Sequence, residues 1–475
     1  MSTASELPSL RLDASREEAL ERAAAIVARA WQSFDRARPG QPDVDERLGE
    51  LLRAALPDTG SSVLAALDDA AQVLDTSIAQ PRPRFFAFVG SSGLEIGVLG
   101  DLLASCFDVN LAVWAGAASE VEDQAVRWVS EFVGYPAAAG AFTSGGTISN
   151  VTALAAARER ALPGSRRDGM AGTRAALYCS REAHYSVVRS AELLGIGSEH
   201  VRSLEIDELR GLRPEAVAEA IDEDRAAGVS PLAVVATAGT TLTGAVDRID
   251  ALADVCASRD VWLHVDGAYG VAAASTTSAG HLFGGLDRAD SVTLDAHKWL
   301  YLPKACGVVM SRHREVFEES FSHEQGYLPH QQHELHAADI TLEYSRPFRA
   351  LKAWLAFRAH GAHQFRDAIA RNLEEADLLY RRAQSSEDFE VMDAPPQLSI
   401  VPFRHAPVGV AVDAHNERLA DAILADGRIY LASALIDGEV WLRPCFVNFR
   451  TTDEDVEAIL DVARELGARL TSGAA

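Results

Sequence analysis

A lysine that directly follows a short apolar run is the first candidate for chemistry in this sequence. Lys298 comes after the run of residues 291–294, and it is one of only three lysines among 44 Lys and Arg residues, the others being Lys304 and Lys352. A guanidinium stays protonated and cannot form an imine, whereas a lysine amine can lose its proton and react with a carbonyl group. The position of Lys298 suits a reactive amine, although taken alone a solvated surface lysine is the more ordinary interpretation.

Two other polar residues also lie where apolar runs end. Asp266 follows residues 262–265, and His184 comes shortly after residues 175–179. A carboxylate can hold a proton on the pyridine nitrogen of pyridoxal phosphate (PLP), which makes that ring an electron sink, and a histidine can stack on the ring or move protons. Taken alone, Asp266 is equally typical of a helix cap or an ion-pair partner.

A glycine- and hydroxyl-rich segment precedes a helical stretch at residues 151–162. Gly145, Gly146 and Thr147 would leave backbone N–H groups free to hold a phosphate at the start of that helix. The segment has neither the lysine of a P-loop nor the spacing of a dinucleotide site. Thr237, at the end of the run of residues 233–237, adds a hydroxyl. The order of phosphate cup, histidine, hydroxyl, carboxylate and lysine predicts a PLP site.

The elements that must carry these residues alternate between strands and helices. Apolar runs at residues 175–179, 233–237, 262–265, 291–294 and 307–310 predict strands, and the helical stretches between them imply βαβ units around a mostly parallel sheet. Ligands in such sheets bind beyond the carboxyl ends of the strands. The pattern thus predicts an α/β fold whose site lies at one sheet edge.

Three regions are predicted along the chain. Residues 1–80 form a helical N-terminal segment, with helices at 17–31 and 63–74; residues 81–360 form the large PLP-binding domain; and residues 361–475 form a small α+β C-terminal domain. In the last region we expect strands at 397–403, 408–412, 428–431 and 440–443. A long helix is expected from residue 346 toward residue 379.

Composition limits the classes of partner. The net charge of −25 disfavours nucleic acids and anionic membranes. No apolar window is long enough for a membrane span and no secretory signal is evident, so a cytoplasmic location is expected. The five cysteines never have CxxC spacing, which argues against a disulfide framework and a metal site.

The motifs resemble those of the group II PLP-dependent decarboxylases, a family that includes aromatic-L-amino-acid, glutamate and diaminobutyrate decarboxylases. The likeness rests on residues 143–150, 183–184, 237–241, 264–269 and 297–299, and it extends from residues 83–86 through 346–354 to 442–443 and 448–452. It implies PLP fold type I, similar to aspartate aminotransferase, and a homodimer with active sites at the subunit interface. It also implies decarboxylation of an L-amino acid to an amine and carbon dioxide through an aldimine on Lys298.

The resemblance also assigns roles to single residues. Asp266 matches the pyridine-nitrogen carboxylate, His184 the stacking histidine, and Gly146 and Thr147 the phosphate contacts. Further cofactor contacts are implied for Gly145, Thr237, Ala268 and His297. Arg443 matches an arginine near the substrate carboxylate in glutamate decarboxylases, or else makes a structural ion pair. Phe85 and Trp114 lie where the family builds its substrate entrance, although such residues are more often core.

The sequence departs from the family at two places. Asp295 stands where many members have asparagine at the phosphate, so it faces elsewhere or pairs with a donor. The mobile loop of aromatic decarboxylases carries a proton-donating tyrosine, and Ala337 stands at that register here. Either Tyr327 or His336 of the polar stretch 322–339, or ordered water, protonates the product carbanion, or the reaction is not simple decarboxylation.

Other reactions on the same cofactor stay open. They are decarboxylation-dependent oxidative deamination to an aldehyde and carbon–carbon lyase chemistry as in sphingosine-phosphate lyases, whose lysine motif also has aspartate two residues before the histidine. A catalytically silent PLP-binding protein is a third alternative, and the intact set of Lys298, Asp266 and His184 argues against it.

Overall fold

The computed structural model describes residues 10–36, 44–323 and 337–472. Its helices are α1 (Arg16–Phe34), α2 (Glu46–Arg53), α3 (Val63–Asp75), α4 (Glu95–Phe107), α5 (Ala117–Val133), α6 (Gly146–Ala161), α7 (Ser165–Asp168), α8 (Ser186–Leu193), α9 (Pro214–Ala226), α10 (Ile249–Ser258), α11 (Ala296–Trp299), α12 (Arg314–Phe321), α13 (Ala350–Gln384), α14 (Val412–Asp426) and α15 (Asp453–Ser472). Its strands are β1 (Ala139–Thr143), β2 (Ala175–Ser180), β3 (Val201–Leu204), β4 (Ser230–Thr237), β5 (Trp262–Asp266), β6 (Ser291–Asp295), β7 (Gly307–Ser311), β8 (Phe389–Val391), β9 (Phe403–His405), β10 (Ala432–Ile436) and β11 (Glu439–Arg443).

A seven-stranded sheet in the order β1-β7-β6-β5-β4-β2-β3 forms the centre of the larger part. The pairs from β6 through β3 are parallel, and β7 runs antiparallel to both of its neighbours. All residues of β2, β5, β6 and β7 are buried, as expected of strands covered by helices on both faces. The mostly parallel α/β fold predicted from the sequence is confirmed, and each of the five predicted strands of this region is present.

The sheet register brings the ends of several strands together. Thr237, the last residue of β4, is paired with Asp266, the last residue of β5, and Asp266 is paired with Thr293 of β6. Because these strands are parallel, the segments that follow them leave the sheet at one edge. That edge is where the predicted site residues were expected.

Long helices lie toward both ends of the chain. The predicted N-terminal helices are present as α1 and α3, and the long predicted helix is α13. Gly361 interrupts α13 with a φ of 70°, a left-handed conformation that glycine adopts without steric strain. This interruption falls at the predicted start of the C-terminal domain, and the three domain boundaries stay predictions.

The smaller sheet has four strands in the order β10-β11-β9-β8, and each pair is antiparallel. The predicted strand at 440–443 is present as part of β11. The prediction at 408–412 is wrong, because Gly409 has a φ of 91° and Val412 begins a helix. The predictions at 397–403 and 428–431 are displaced. Strand β9 begins at Phe403, the last residue of the first range, and β10 begins at Ala432, just after the second. The rest of the two ranges contains isolated bridges at Ile400 and Tyr430.

The helices of the described residues were compared with the length and hydropathy that a bilayer requires. None is long and apolar enough to cross a membrane.

Candidate active site

A cavity of about 300 Å³ opens at the edge of the large sheet where β4, β5 and β6 end. Its lining comes from the start of α6, from the segments after β2, β4 and β5, and from the end of β6 with α11. The lining residues are Ser144, Gly145, Gly146, Thr147, Ile148, Asn150, His184, Ser186, Thr237, Gly239, Thr241, Asp266, Ala268, Tyr269, Asp295, His297 and Lys298. The structure therefore brings together all nine residues that the sequence assigned to cofactor binding.

Lys298 is the one lysine of the three that lines the cavity. It lies in the short helix α11, and its Nζ is 3.3 Å from Oδ2 of Asp295. Lys304 is exposed. Lys352 is buried, and its Nζ donates to Oδ2 of Asp101 at 2.9 Å and to the carbonyl of Pro303 at 3.1 Å. Lys298 is consequently the lysine amine available to a ligand in the cavity.

The glycine-rich segment forms the N-terminus of α6 as predicted. A Cβ atom on Gly146 would lie 2.9 Å from Oδ2 of Asp295 and 3.0 Å from Cβ of Ala268, so a side chain cannot be accommodated there. The first N–H groups of a helix have no partner within the helix and lie at the positive end of its dipole. An anion such as a phosphate can therefore approach the backbone of Gly146 and Thr147 closely.

Asp266 is the last residue of β5 and is 6% exposed. Its Oδ2 accepts a hydrogen bond of 2.8 Å from Nδ2 of Asn150, and its Oδ1 accepts one of 3.2 Å from the backbone N–H of Ala268. Both bonds are donated to the carboxylate, so its oxygens act as acceptors. Asp266 can thus hold a proton on a basic ring nitrogen in the cavity.

His184 lies between β2 and α8, and its ring borders the cavity. The backbone N–H of Ser186 donates to Nδ1 of His184 at 3.2 Å, and the Ser186 hydroxyl lies 2.9 Å from the same nitrogen. Burial lowers the pKa of His184, and the positive charge of Lys298 acts in the same direction, whereas Asp266 opposes both. The imidazole is therefore held neutral with Nδ1 as an acceptor, which leaves its proton on Nε2.

Asp295 points into the site and does not face elsewhere. It is 4% exposed, and besides Lys298 it lies 3.7 Å from Nε2 of His297. The pairing with a donor that the sequence left open is thus the arrangement found. Burial lowers the pKa of His297, and Asp295 opposes this shift. The amine of Lys298 and the carboxylate of Asp295 therefore lie next to each other beside the start of α6.

The residues present fit PLP on three counts. The start of α6 offers a phosphate cup, Asp266 offers a carboxylate for the pyridine nitrogen, and Lys298 offers an amine for the aldehyde. The hydroxyl of Thr237 is buried and has no hydrogen-bond partner among the described residues, as expected of a group that awaits a ligand. The Oδ1 of Asp295 is also without a partner, and its negative charge beside a phosphate is the one unfavourable feature.

The three residues predicted to bind substrate do not line this cavity. Phe85 stacks on Tyr430 with ring centroids 4.9 Å apart, and Trp114 lies in the turn between α4 and α5. Arg443 is buried and donates from Nη1 to the carbonyl of Phe88 at 3.0 Å, while its Nε and Nη2 have no partner in the described part of the chain. Tyr327 and His336 lie outside the described residues.

Asn150 and His264 belong to the site, although the sequence analysis gave them no role. Nδ2 of Asn150 binds Asp266, and Oδ1 of Asn150 lies 3.0 Å from Nε2 of His264. Spacing carried the signal: Asn150 lies one helical turn after Gly146, and His264 lies two residues before Asp266, so each pair shares a face of its element.

The comparisons with known proteins agree with this geometry. A family model described as pyridoxal-dependent decarboxylase conserved domain matches residues 45–406. An aromatic-L-amino-acid decarboxylase of Bacillus atrophaeus is 34% identical over 438 residues, which are 90% of this chain and 90% of that protein. A 4-hydroxyphenylacetaldehyde synthase of Rhodiola rosea is 29% identical over 449 residues, again 90% of each chain. The crystal structure of Oryza sativa TDC with PLP and tryptamine superposes with a TM-score of 0.91 at 26% identity and covers 98% of this chain and 99% of that one.

Proposed function

The chain belongs to the pyridoxal-dependent decarboxylase family, and on that premise we propose that it decarboxylates an aromatic L-amino acid with PLP bound covalently to Lys298. Conversion of an amino acid to the corresponding amine is the reaction of its decarboxylase relatives, and it makes the chain a PLP-dependent carboxy-lyase. The observation that carries the assignment of residues is the single cavity shared by Lys298, Asp266, His184 and the start of α6.

PLP, when bound, supplies a protonated pyridine ring that takes up the electron pair left by the departing carbon dioxide. Asp266 would hold the proton on the ring nitrogen, because two N–H groups fix its carboxylate in place at the end of β5. His184 would stack on the ring, with its orientation fixed by the bond from the backbone N–H of Ser186 to Nδ1. Gly145, Gly146 and Thr147 would hold the phosphate, with Thr237, Ala268 and His297 completing the cofactor contacts.

An aromatic substrate is supported by the charges of the cavity. Neither arginine nor glutamate is present in its described lining, and its two aspartates, Asp266 and Asp295, lie at the cofactor end beside the ring-nitrogen position and Lys298. A side-chain carboxylate of a substrate would therefore find no arginine to pair with among these residues. The relative from Bacillus atrophaeus, which is named for aromatic substrates, points the same way.

Three residues stay proposed contacts of the substrate. Arg443 would bind the substrate carboxylate, and its support is the pair of buried N–H groups that have no partner among the described residues. Phe85 and Trp114 would contribute apolar surface near the entrance. Replacing Arg443 by lysine should raise KM more than it lowers kcat.

A homodimer is the assembly that we propose. Helix α4 exposes four large apolar side chains on one face, Leu99, Leu102, Leu103 and Phe107, the last of them 77% exposed. Such a stripe is expected to be covered by protein, and a second copy is the partner that the family resemblance implies. Phe107→Glu should shift the sedimentation coefficient from that of a dimer toward that of a monomer. Leu435→Glu, at an exposed apolar residue of β10, is the matched control and should leave it unchanged.

The test of the reaction is product analysis on a panel of substrates. Purified PLP-loaded enzyme is incubated with L-tryptophan, L-tyrosine, L-phenylalanine, L-glutamate and L-2,4-diaminobutyrate, and carbon dioxide, amine, aldehyde and peroxide are measured. We expect carbon dioxide and amine in equal amounts from an aromatic substrate, and neither from the Lys298→Ala variant. Preference for glutamate or diaminobutyrate would refute the aromatic assignment. Aldehyde and peroxide in place of amine would refute simple decarboxylation.

A further inference from the structure

A buried row of hydrogen bonds leads from the interior of the large sheet to the two residues assigned to the cofactor ring. Trp262 and His264 lie on the same face of β5, and both contact Ser291 of β6. Nε1 of Trp262 donates to Oγ of Ser291 at 2.8 Å, and that oxygen lies 2.8 Å from Nδ1 of His264. The row continues from His264 to Asn150 and from there to Asp266 and Ser186.

The chemistry of the groups sets the direction of each bond. The indole N–H only donates, so Oγ of Ser291 is an acceptor there. Because Nδ2 of Asn150 donates to the Asp266 carboxylate, Oδ1 of Asn150 faces Nε2 of His264, and Oγ of Ser291 gives its own proton to Nδ1 of His264. Burial lowers the pKa of His264 to about 4, so the ring is neutral and carries one proton. With Nδ1 accepting, that proton is on Nε2 and is donated to Oδ1 of Asn150 at 3.0 Å.

The orientation of the amide also sets its second contact. With Oδ1 of Asn150 accepting from His264, its Nδ2 lies toward Asp266 at 2.8 Å and toward Oγ of Ser186 at 2.9 Å. The Ser186 hydroxyl accepts that bond and can donate its own proton to Nδ1 of His184 at 2.9 Å. All of the residues between β5 and His184 in this row are buried: Trp262, His264, Ser291, Asn150 and Ser186.

We propose that Asn150 and His264 are positioning residues that set the protons of Asp266 and His184 together. Nδ2 of Asn150 donates to Asp266 and to Oγ of Ser186. It thereby keeps Asp266 an acceptor, and it leaves the Ser186 proton for Nδ1 of His184, so that the proton of His184 stays on Nε2. His264 in turn prevents the amide from turning over, because the reversed amide would place its NH2 group against the Nε2–H of His264. This inference rests on the proposed function, in which Asp266 and His184 serve the cofactor.

Two substitutions at residue 150 should affect activity differently if Asn150 positions protons. If Asn150 served only in packing, the pH dependence of activity would not differ between them. Asn150→Ala removes the donors and leaves Asp266 with one N–H partner. Asn150→Asp keeps the shape but places a second carboxyl group within hydrogen-bond distance of Asp266. Two carboxylates so close cannot both ionise freely, so the second variant should lose more activity as the pH rises. The other ionisable groups that face this pair are His264, His184, Lys298 and Asp295.

The experiment compares kcat across pH, the PLP dissociation constant of the apoenzyme and the thermal midpoint. Both Asn150 variants are expected to have kcat lowered about 10- to 100-fold, the effect of one hydrogen bond to a charged group. The loss should be independent of pH for Asn150→Ala and should increase toward alkaline pH for Asn150→Asp. His264→Gln can still donate to residue 150 and should retain most of the activity, whereas His264→Leu should not.

The matched control is Asn416→Asp in the small domain. Asn416 is also fully buried, and its Nδ2 donates to the carbonyls of His405 at 3.0 Å and Val412 at 2.8 Å. This variant is expected to lower the thermal midpoint without a new pH dependence of kcat. If all five variants lose activity only in proportion to their loss of stability, or if His264→Gln and His264→Leu behave alike, the positioning role is refuted.

Failure of the proposed function would be seen separately. Borohydride reduction of the PLP-loaded enzyme should attach the cofactor to Lys298 in the wild type and in every Asn150 and His264 variant. A wild type without this label refutes the proposed function, whereas labelled variants with unaltered kcat and pH profile refute the positioning role alone.

Discussion

The buried carboxylate of Asp295 is expected to oppose the binding of PLP. Its Oδ2 pairs with Lys298 at 3.3 Å and lies against the start of α6, where the phosphate is proposed to bind. Asp295→Asn removes the negative charge and keeps the size of the side chain.

The magnitude follows from Coulomb's law. An anion held by the N–H groups of Gly146 and Thr147 comes within roughly 5 Å of Asp295, where two unit charges at an effective dielectric constant of about 20 repel by roughly 3 kcal/mol. The positive end of α6 offsets part of this repulsion. We therefore expect a gain of about 1.4 to 2.8 kcal/mol, which is about a 10- to 100-fold lower Kd for PLP.

The assay is titration of the apoenzyme with PLP, followed by the quenching of tryptophan fluorescence. Asp101→Asn serves as the control, because Asp101 also pairs with a lysine, Lys352, but lies outside the cavity. This control should leave the Kd unchanged within about threefold, a difference of less than 1 kcal/mol. An equal or higher Kd in Asp295→Asn, with the fold intact, would refute the electrostatic reasoning.

Three further outcomes are expected. Burial and the nearby His415 lower the pKa of His405 to about 4, from about 6.5 in the unfolded chain. The stability that His405 contributes should therefore be complete above pH 6.5 and fall by up to about 3 kcal/mol as the pH drops toward 4. Urea unfolding should show this pH dependence weakened in His405→Gln and unaltered in the control His363→Gln, whose residue is exposed. Lys352→Met should cost about 2 to 4 kcal/mol of unfolding free energy, because the carbonyl of Pro303 and the carboxylate of Asp101 lose their donor; an unchanged urea midpoint would contradict this. Of His336→Ala and Tyr327→Phe, one should divert product from amine to aldehyde by removing the proton donor, and unaltered product ratios in both would exclude a donor at these residues.

The large sheet could be predicted because its strands are buried on both faces. Residues 233–236 are a continuous apolar run and residues 262–265 are apolar except for His264, and such runs are typical of parallel strands covered by helices. In the small domain the patterns are shorter and mixed with turns. Val408 is apolar but fully exposed next to Gly409, and nothing in the local composition separates it from a strand residue.

The cofactor side of the site was predictable for a similar reason. Lys298, Asp266 and His184 each follow a strand, and strands that run parallel bring their ends to one edge. Asn150 could not be assigned a partner from the sequence, because its bond to Asp266 depends on how α6 packs across β5. The pairing of Asp295 likewise became evident only from the path of α11 after β6.

The most direct test of the proposed function is to identify the residue to which PLP is attached. The PLP-loaded enzyme is reduced with borohydride and digested, and the modified peptide is identified by mass spectrometry. We expect one PLP per chain, on the peptide that contains Lys298, and no label in Lys298→Ala. A label on Lys304 or Lys352, or undiminished labelling in the Lys298→Ala variant, would contradict it.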